Sequence, residues 1–160
     1  KNYLSFYVRK GNPWRYSGPP SVTAVSLGVV AGYDYRSWLN RYIEENKDAP
    51  DKIQIQHGRL PMKGNLKKLL TGRIDALVGN EFPIQYVAGQ MGVLDQIAPA
   101  GHDTEPAYCY IAFSPANPAS EIYARILSEG IVDLRRTGRL RDILSRYGLT
   151  DWKSPPHRFP

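Results

Sequence analysis

Ser26 to Asn46 reads SLGVVAGYDYRSWLNRYIEEN, and its periodicity changes halfway along. Ser26 to Ala31 is a short apolar run rich in valine, whereas from Arg36 onward Trp38, Leu39, Tyr42 and Ile43 recur at helical spacing. The pattern predicts a strand that ends at Gly32 and a helix over about 34–46. A helix start presents unpaired backbone N–H groups and a partial positive charge. Gly32, Tyr33, Asp34 and Tyr35 therefore occupy a place where a small ligand can approach backbone.

Outward from this unit the same two periods alternate. Tyr3 to Val8 reads as a strand closed by the turn-forming KGNPW, and SGPPS follows as a link. KIQIQHG alternates apolar and polar residues like a half-buried strand. A helix is predicted over about 65–71, with Asn65 as N-cap and Gly72 as its stop. RIDALVG reads as a short buried strand, and a helix over about 82–91 places Pro83 in its first turn. Ile97 and its neighbours suggest a short strand before the loop PAGHDTEP. AYCYIAFS is the most strand-like segment of all. SEIYARILSEGIVDLRRTG is helical, with Ser120 as N-cap and Ile122, Ile126, Leu127, Ile131 and Leu134 on one stripe; GRLRDILSRYG is a shorter helix closed by Gly148. DWKSPPHRFP is a proline-rich tail. Strands alternating with helices argue for an α/β domain with a largely parallel sheet, flanked by helices through right-handed crossovers.

Composition narrows the function classes. At 160 residues the chain is the size of one domain and hides roughly 70% of its unfolded surface on folding. An apolar fraction of 42% and a charged fraction of 22% are ordinary for a globular protein. No apolar run approaches the roughly 20 residues of a membrane span. The opening KNYLSFYVRKG has charges at Arg9 and Lys10 and no small-residue cleavage site, so it does not read as a signal peptide. The net charge is +6, yet the densest basic stretch, DLRRTGRLRDILSR, interleaves Asp133 and Asp142 with its arginines. That is the pattern of a solvated helix face, so no nucleic-acid partner is expected. Cys109 stands alone inside an apolar run and reads as core. His57, His102 and His157 lie far apart with no ligand spacing, so neither a metal nor a cofactor is expected. No phosphate-cradling loop and no nucleophile elbow occurs.

Four strings, LGVVAGYDY, LLTGRIDALVGNEF, AYCYIAFSP and GRLRDILSRYG, stand in an order that resembles the second half of the family 3 periplasmic solute-binding proteins. These have the type 2 fold and capture amino acids and similar small polar solutes for ABC importers, clamping them between two lobes joined by two crossing strands. The resemblance implies a periplasmic-binding-protein-like lobe. Residues 1–25 would be a crossing strand and linker, 26–106 the second ligand-binding lobe, 107–149 a return strand plus helices that pack on the first lobe, and 150–160 a tail. It also implies a periplasmic location and, as partner, an ABC transporter permease or a membrane receptor. Most of the first lobe would lie outside these residues, leaving a surface through which dimerisation is possible.

By resemblance, the segment matching Gly32 to Tyr35 binds the ligand's carboxylate through backbone amides and a Ser or Thr hydroxyl. Here that hydroxyl position holds Asp34, which can cap its own helix and whose charge opposes a carboxylate. An acidic residue after the strand matching DALVG often pairs with the ligand's ammonium in the family. The matching residue is Asn80, followed by Glu81, so a charge-assisted bond becomes a neutral one unless Glu81 substitutes. The expected ligand-binding set is Gly32, Tyr33, Asp34, Tyr35, Asn80 and Glu81, with no catalytic residue. Read from residues alone, Gly32 can simply end a strand while Tyr33 and Tyr35 cover the core edge. Asp75 reads as structural. Arg59 and Lys63 lie in a loop that could reach the cleft mouth, although a solvated loop is the ordinary case. The alternatives are a receptor's ligand-sensing domain, or a dehydratase-type enzyme using Glu81 or Asp34 as acid or base.

Overall fold

The computed structural model describes residues 3–106, 110–151 and 153. The chain divides into two compact units, residues 2–107 and residues 108–160 with Lys1.

The larger unit is a five-stranded sheet with helices on both faces. Its elements are β1 (Leu4–Arg9), β2 (Leu27–Val30), α1 (Ser37–Asn46), β3 (Ile53–Gln56), α2 (Pro61–Leu70), β4 (Ala76–Asn80), α3 (Glu81–Gln90) and β5 (Ile97–His102). The strand order is β3-β2-β4-β1-β5. β2 pairs in parallel with β3 and β4, while β1 runs antiparallel to β4 and β5. Only β1 therefore opposes the common direction, in accord with the largely parallel sheet expected from alternating strands and helices.

Alternation along each strand separates two cores. Phe6, Val8, Leu27, Val29 and Val78 face one side, where Leu39 of α1, Tyr35 and the ring of Tyr16 cover them. Tyr7, Val30 and Leu77 face the other, under Leu66 and Leu69 of α2 and Ile84 of α3. Each such fully buried aliphatic or aromatic side chain contributes about 1.5–3 kcal/mol, so these layers outweigh any single polar contact. Gly28 fits the tight packing of β2: a Cβ there would lie 2.4 Å from Ile74 Cδ1 and 3.2 Å from Asn65 Oδ1.

Several expectations change. α2 starts at Pro61, four residues earlier than read, because proline suits the first helical turn. Asn65 is consequently not an N-cap; it is fully buried within α2 and donates through Nδ2 to the Val29 carbonyl at 3.0 Å. α1 begins at Ser37 instead of about 34. Pro99–His102, expected in a loop, belongs to β5, an edge strand where proline removes no ladder bond. The second half of the SGPPS link already belongs to a 3₁₀ turn over Pro19–Ala24.

The smaller unit contains α4 (Ser120–Arg136) and α5 (Arg139–Ser145). Ser120 is the first residue of α4, not its N-cap, and its hydroxyl donates to the Ser114 carbonyl at 2.6 Å. α5 is followed by Gly148 at φ 68, as read. Of AYCYIAFS, Tyr110–Phe113 are not in a strand, while residues 107–109, Cys109 among them, lie outside the described residues, as does His157. Among the described residues no helix is long and apolar enough to cross a membrane.

Candidate functional site

Because β3, β2 and β4 are adjacent and parallel, their C-terminal ends form one edge, the usual place for a ligand on an open α/β sheet. Three segments leave that edge: Ala31–Arg36 after β2, His57–Leu60 after β3, and the Asn80–Glu81 junction where β4 passes directly into α3. β1 begins at the same edge, with Leu4 opposite Asn80, and β5 ends there, with His102 opposite Ser5.

The segment after β2 is held by its own polar groups. Gly32 takes φ 75, which lets the chain reverse after the strand. Tyr33 is 55% exposed and projects at the edge. Asp34 Oδ1 accepts from the Arg36 amide at 3.2 Å and from Asn40 Nδ2 at 2.6 Å; Asn40 Oδ1 in turn accepts the Tyr35 amide at 2.9 Å. Asp34 thus lies ahead of the helix and braces the loop, whereas Arg36 is the N-cap residue. Asn40, which the sequence reading did not single out, completes this arrangement from six residues downstream.

Tyr35 parts company with Tyr33. Its side chain is 2% exposed within the core, and its hydroxyl accepts the Val30 amide at 2.7 Å. Burial pushes its pKa up to about 12. The registered β2–β4 ladder ends at Gly28 opposite Leu77, so the Tyr35 hydroxyl meets an amide lying beyond that ladder. The Tyr35 ring thus covers the core edge, and its oxygen is committed to backbone.

At the β4–α3 junction Asn80 is exposed and Glu81 half-buried. Gln85, one turn into α3, donates to Glu81 Oε1 at 2.9 Å and to the Tyr7 hydroxyl at 3.0 Å, fixing the carboxylate. Its i,i+4 spacing from Glu81 is the sequence signal that could have found it.

Arg36 ties the β2 segment to the chain beyond β5. Its Nε lies 3.6 Å from Asp103 Oδ2 and its Nη1 3.6 Å from Glu105 Oε2, while Nη2 donates to the Glu105 carbonyl. Trp38 Nε1 donates to the same Asp103 oxygen at 3.0 Å. Arg36 holds φ 74 and ψ 160, a region otherwise used by glycine.

Beside Tyr33 a groove of about 380 Å³ runs along the first turn of α2 and the end of α3. Arg59 and Lys63 flank it, and Met62 and Met91 line its wall. Among the described residues no group of three or more His, Cys, Asp or Glu is placed to hold a metal ion.

An α/β lobe of this strand order, with its loops gathered at one edge, has a periplasmic-binding-protein-like fold, which it shares with the solved structures it matches. An ancestral arginine-binding protein bound to arginine aligns with a TM-score of 0.60 at 17% identity, over 92% of this chain and 60% of that one. A structure concerning glutathione import via GshT and the cystine ABC importer TcyBC of Streptococcus mutans aligns with a TM-score of 0.59 at 15% identity, over 95% and 62%. A histidine kinase sensor domain with similarity to periplasmic binding proteins aligns with a TM-score of 0.55 at 19% identity, over 91% and 58%. The chain thus spans about 60% of the length of the structures it matches. No family model matches the sequence, and no curated protein does.

Proposed function

We propose that the chain supplies the second lobe of an extracytoplasmic solute-binding protein serving an ABC importer, and that it holds a small polar, amino-acid-like solute by closure of two lobes, without catalysis. The observation that carries this reading is the common edge: Gly32–Tyr33 after β2 and Asn80–Glu81 after β4 leave adjacent parallel strands on the same side. Gly32, Tyr33, Asp34, Asn80 and Glu81 form this lobe's share. A solute favours the closed state only through contacts it lacks in the open state, so affinity measures contacts made to both lobes. Residues 26–106 correspond to the lobe, and the apolar residues exposed on α4, such as Ile126 and Val132, are the surface this reading assigns to the missing lobe or to a second copy.

The test is calorimetry on the full-length protein with a panel of polar solutes. Binding that weakens in both Tyr33→Ala and Asn80→Ala supports the assignment, and affinity unchanged in both sinks it. A receptor's sensing domain would use the same edge, in keeping with the sensor domain that shares the fold. Loss of solute uptake on gene deletion separates the importer from that role. The enzyme alternative requires turnover that Glu81→Gln abolishes, a harder demand on a carboxylate already bonded to Gln85.

A further inference from the structure

We infer that the groove beside Tyr33 receives the anionic head of a small organic acid whose apolar body lies along its wall. The inference rests on the reading of this edge as the solute face and names the class of solute. A volume of about 380 Å³ falls at the small-molecule end of ligand sites, which run from about 300 to 1,000 Å³. Its lining is divided by chemistry. Met62 and Met91 offer polarizable thioethers, and Tyr33 and Leu60, 55% and 66% exposed, add apolar surface that no neighbouring core covers. Arg59 and Lys63 stand at the rim, both exposed, and neither forms an ion pair or side-chain hydrogen bond among the described residues.

No carboxylate is among the described residues that line the groove. The nearest acidic candidate in sequence, Asp34, is turned to the Arg36 amide and Asn40, so it is already satisfied within its own loop. Two cations without counter-charge, over an apolar trough, are complementary to a carboxylate carried on an aromatic or aliphatic body. An inorganic anion would leave the trough unfilled.

The experiment titrates the full chain, uniformly labelled, with phenylacetate, phenethylamine and inorganic phosphate while amide resonances are followed. Saturable shifts centred on Tyr33, Arg59 and Lys63 with phenylacetate, weakened about fivefold or more in Arg59→Gln and in Lys63→Gln, are expected, that being the scale of one charge-assisted contact. Phenethylamine and phosphate should shift these resonances weakly or not at all. The inference is overturned if phenylacetate produces no saturable shift, if phenethylamine binds as well, if phosphate alone binds as well, or if both glutamine variants bind like the parent. These readouts do not depend on lobe closure. Closure of the full-length protein on a cationic solute, with sensitivity to Asn80→Ala, would therefore overturn the anionic head yet leave the two-lobe reading standing.

Discussion

Ser26 and Asp75, 49 positions apart, clasp one another through both backbone and side chain. Asp75 Oδ2 accepts the Ser26 amide at 2.9 Å and its hydroxyl at 2.7 Å, and the Asp75 amide donates to Ser26 Oγ at 3.0 Å and to the Ser26 carbonyl at 2.9 Å. The clasp sits one residue before the Leu27–Ala76 pair, so it sets the register in which β2 and β4 run toward the candidate site. Asp75 is structural, as its place inside GRIDALV suggests.

Asp75→Ala should lower stability by about 1–2 kcal/mol, the loss of two hydrogen bonds to a carboxylate in a solvent-exposed setting. Urea unfolding checks this, with an unchanged midpoint meaning that the clasp adds nothing beyond the ladder itself.

Tyr35→Phe removes the acceptor of the buried Val30 amide and should cost about 1–3 kcal/mol. Tyr33→Phe, at a ring more than half exposed, serves as the control and should be neutral. Equal effects from the two variants would contradict the placement of Tyr35 in the core.

Alkaline stability follows from the same burial. Desolvation raises Tyr35 and Tyr16 from 10.0 to about 12, with Asp103 adding to the rise at Tyr16 and Tyr33 at Tyr35. The folded pKa lies above the unfolded value, so the folded state keeps the proton longer. The associated stability is whole below pH 10 and is lost as pH climbs toward about 12. Chemical unfolding across that window, with tyrosinate absorbance as a second probe, should show the decline, and Tyr35→Phe should make it shallower.

Arg36 sets a conformational cost against its ion pairs. Its backbone strain is worth about 1–3 kcal/mol, while the pair with the exposed Glu105 is worth about 0–1 kcal/mol and that with the half-buried Asp103 is lost equally in any truncation of Arg36. Arg36→Gly relieves the strain as it loses the pairs, whereas Arg36→Ala loses the pairs and keeps the strain. The glycine variant should therefore be the more stable of the two by about 1 kcal/mol, as read from thermal unfolding midpoints. The reverse order would mean that the φ of 74 is not enforced.

What could be read beforehand was whatever leaves a periodic trace. The valine-rich run gave β2 within a residue or two at each end, and its C-terminal end, like that of β4, placed Gly32, Tyr33 and Asn80 at one edge. The start of α2 was missed because Pro61 and Gly64 look like breakers. Proline is accommodated in the first turn, and Gly64 is small because a Cβ there would fall 2.8 Å from the Gln56 side chain. The partnerships that fix the site were harder. Asp34 meets Asn40 across a loop and a helix start, and Gln85 of α3 meets Tyr7 of β1, 78 residues away, separations that no repeat encodes. Which of Tyr33 and Tyr35 covers the core was likewise hidden, since the two differ only in which side of a short irregular segment they occupy.

The opposed direction of β1 brings the two ends of the larger unit together. The chain comes in at Leu4 and goes out past His102, and the Asp103 amide donates to the Leu4 carbonyl at 2.8 Å across that neck. Everything between is a closed excursion that starts and finishes at nearly one point. Such a segment has the geometry of an insertion, one that can be lifted from one host chain and set into another without stretching either. Its boundaries for transplantation are therefore written in a single backbone hydrogen bond.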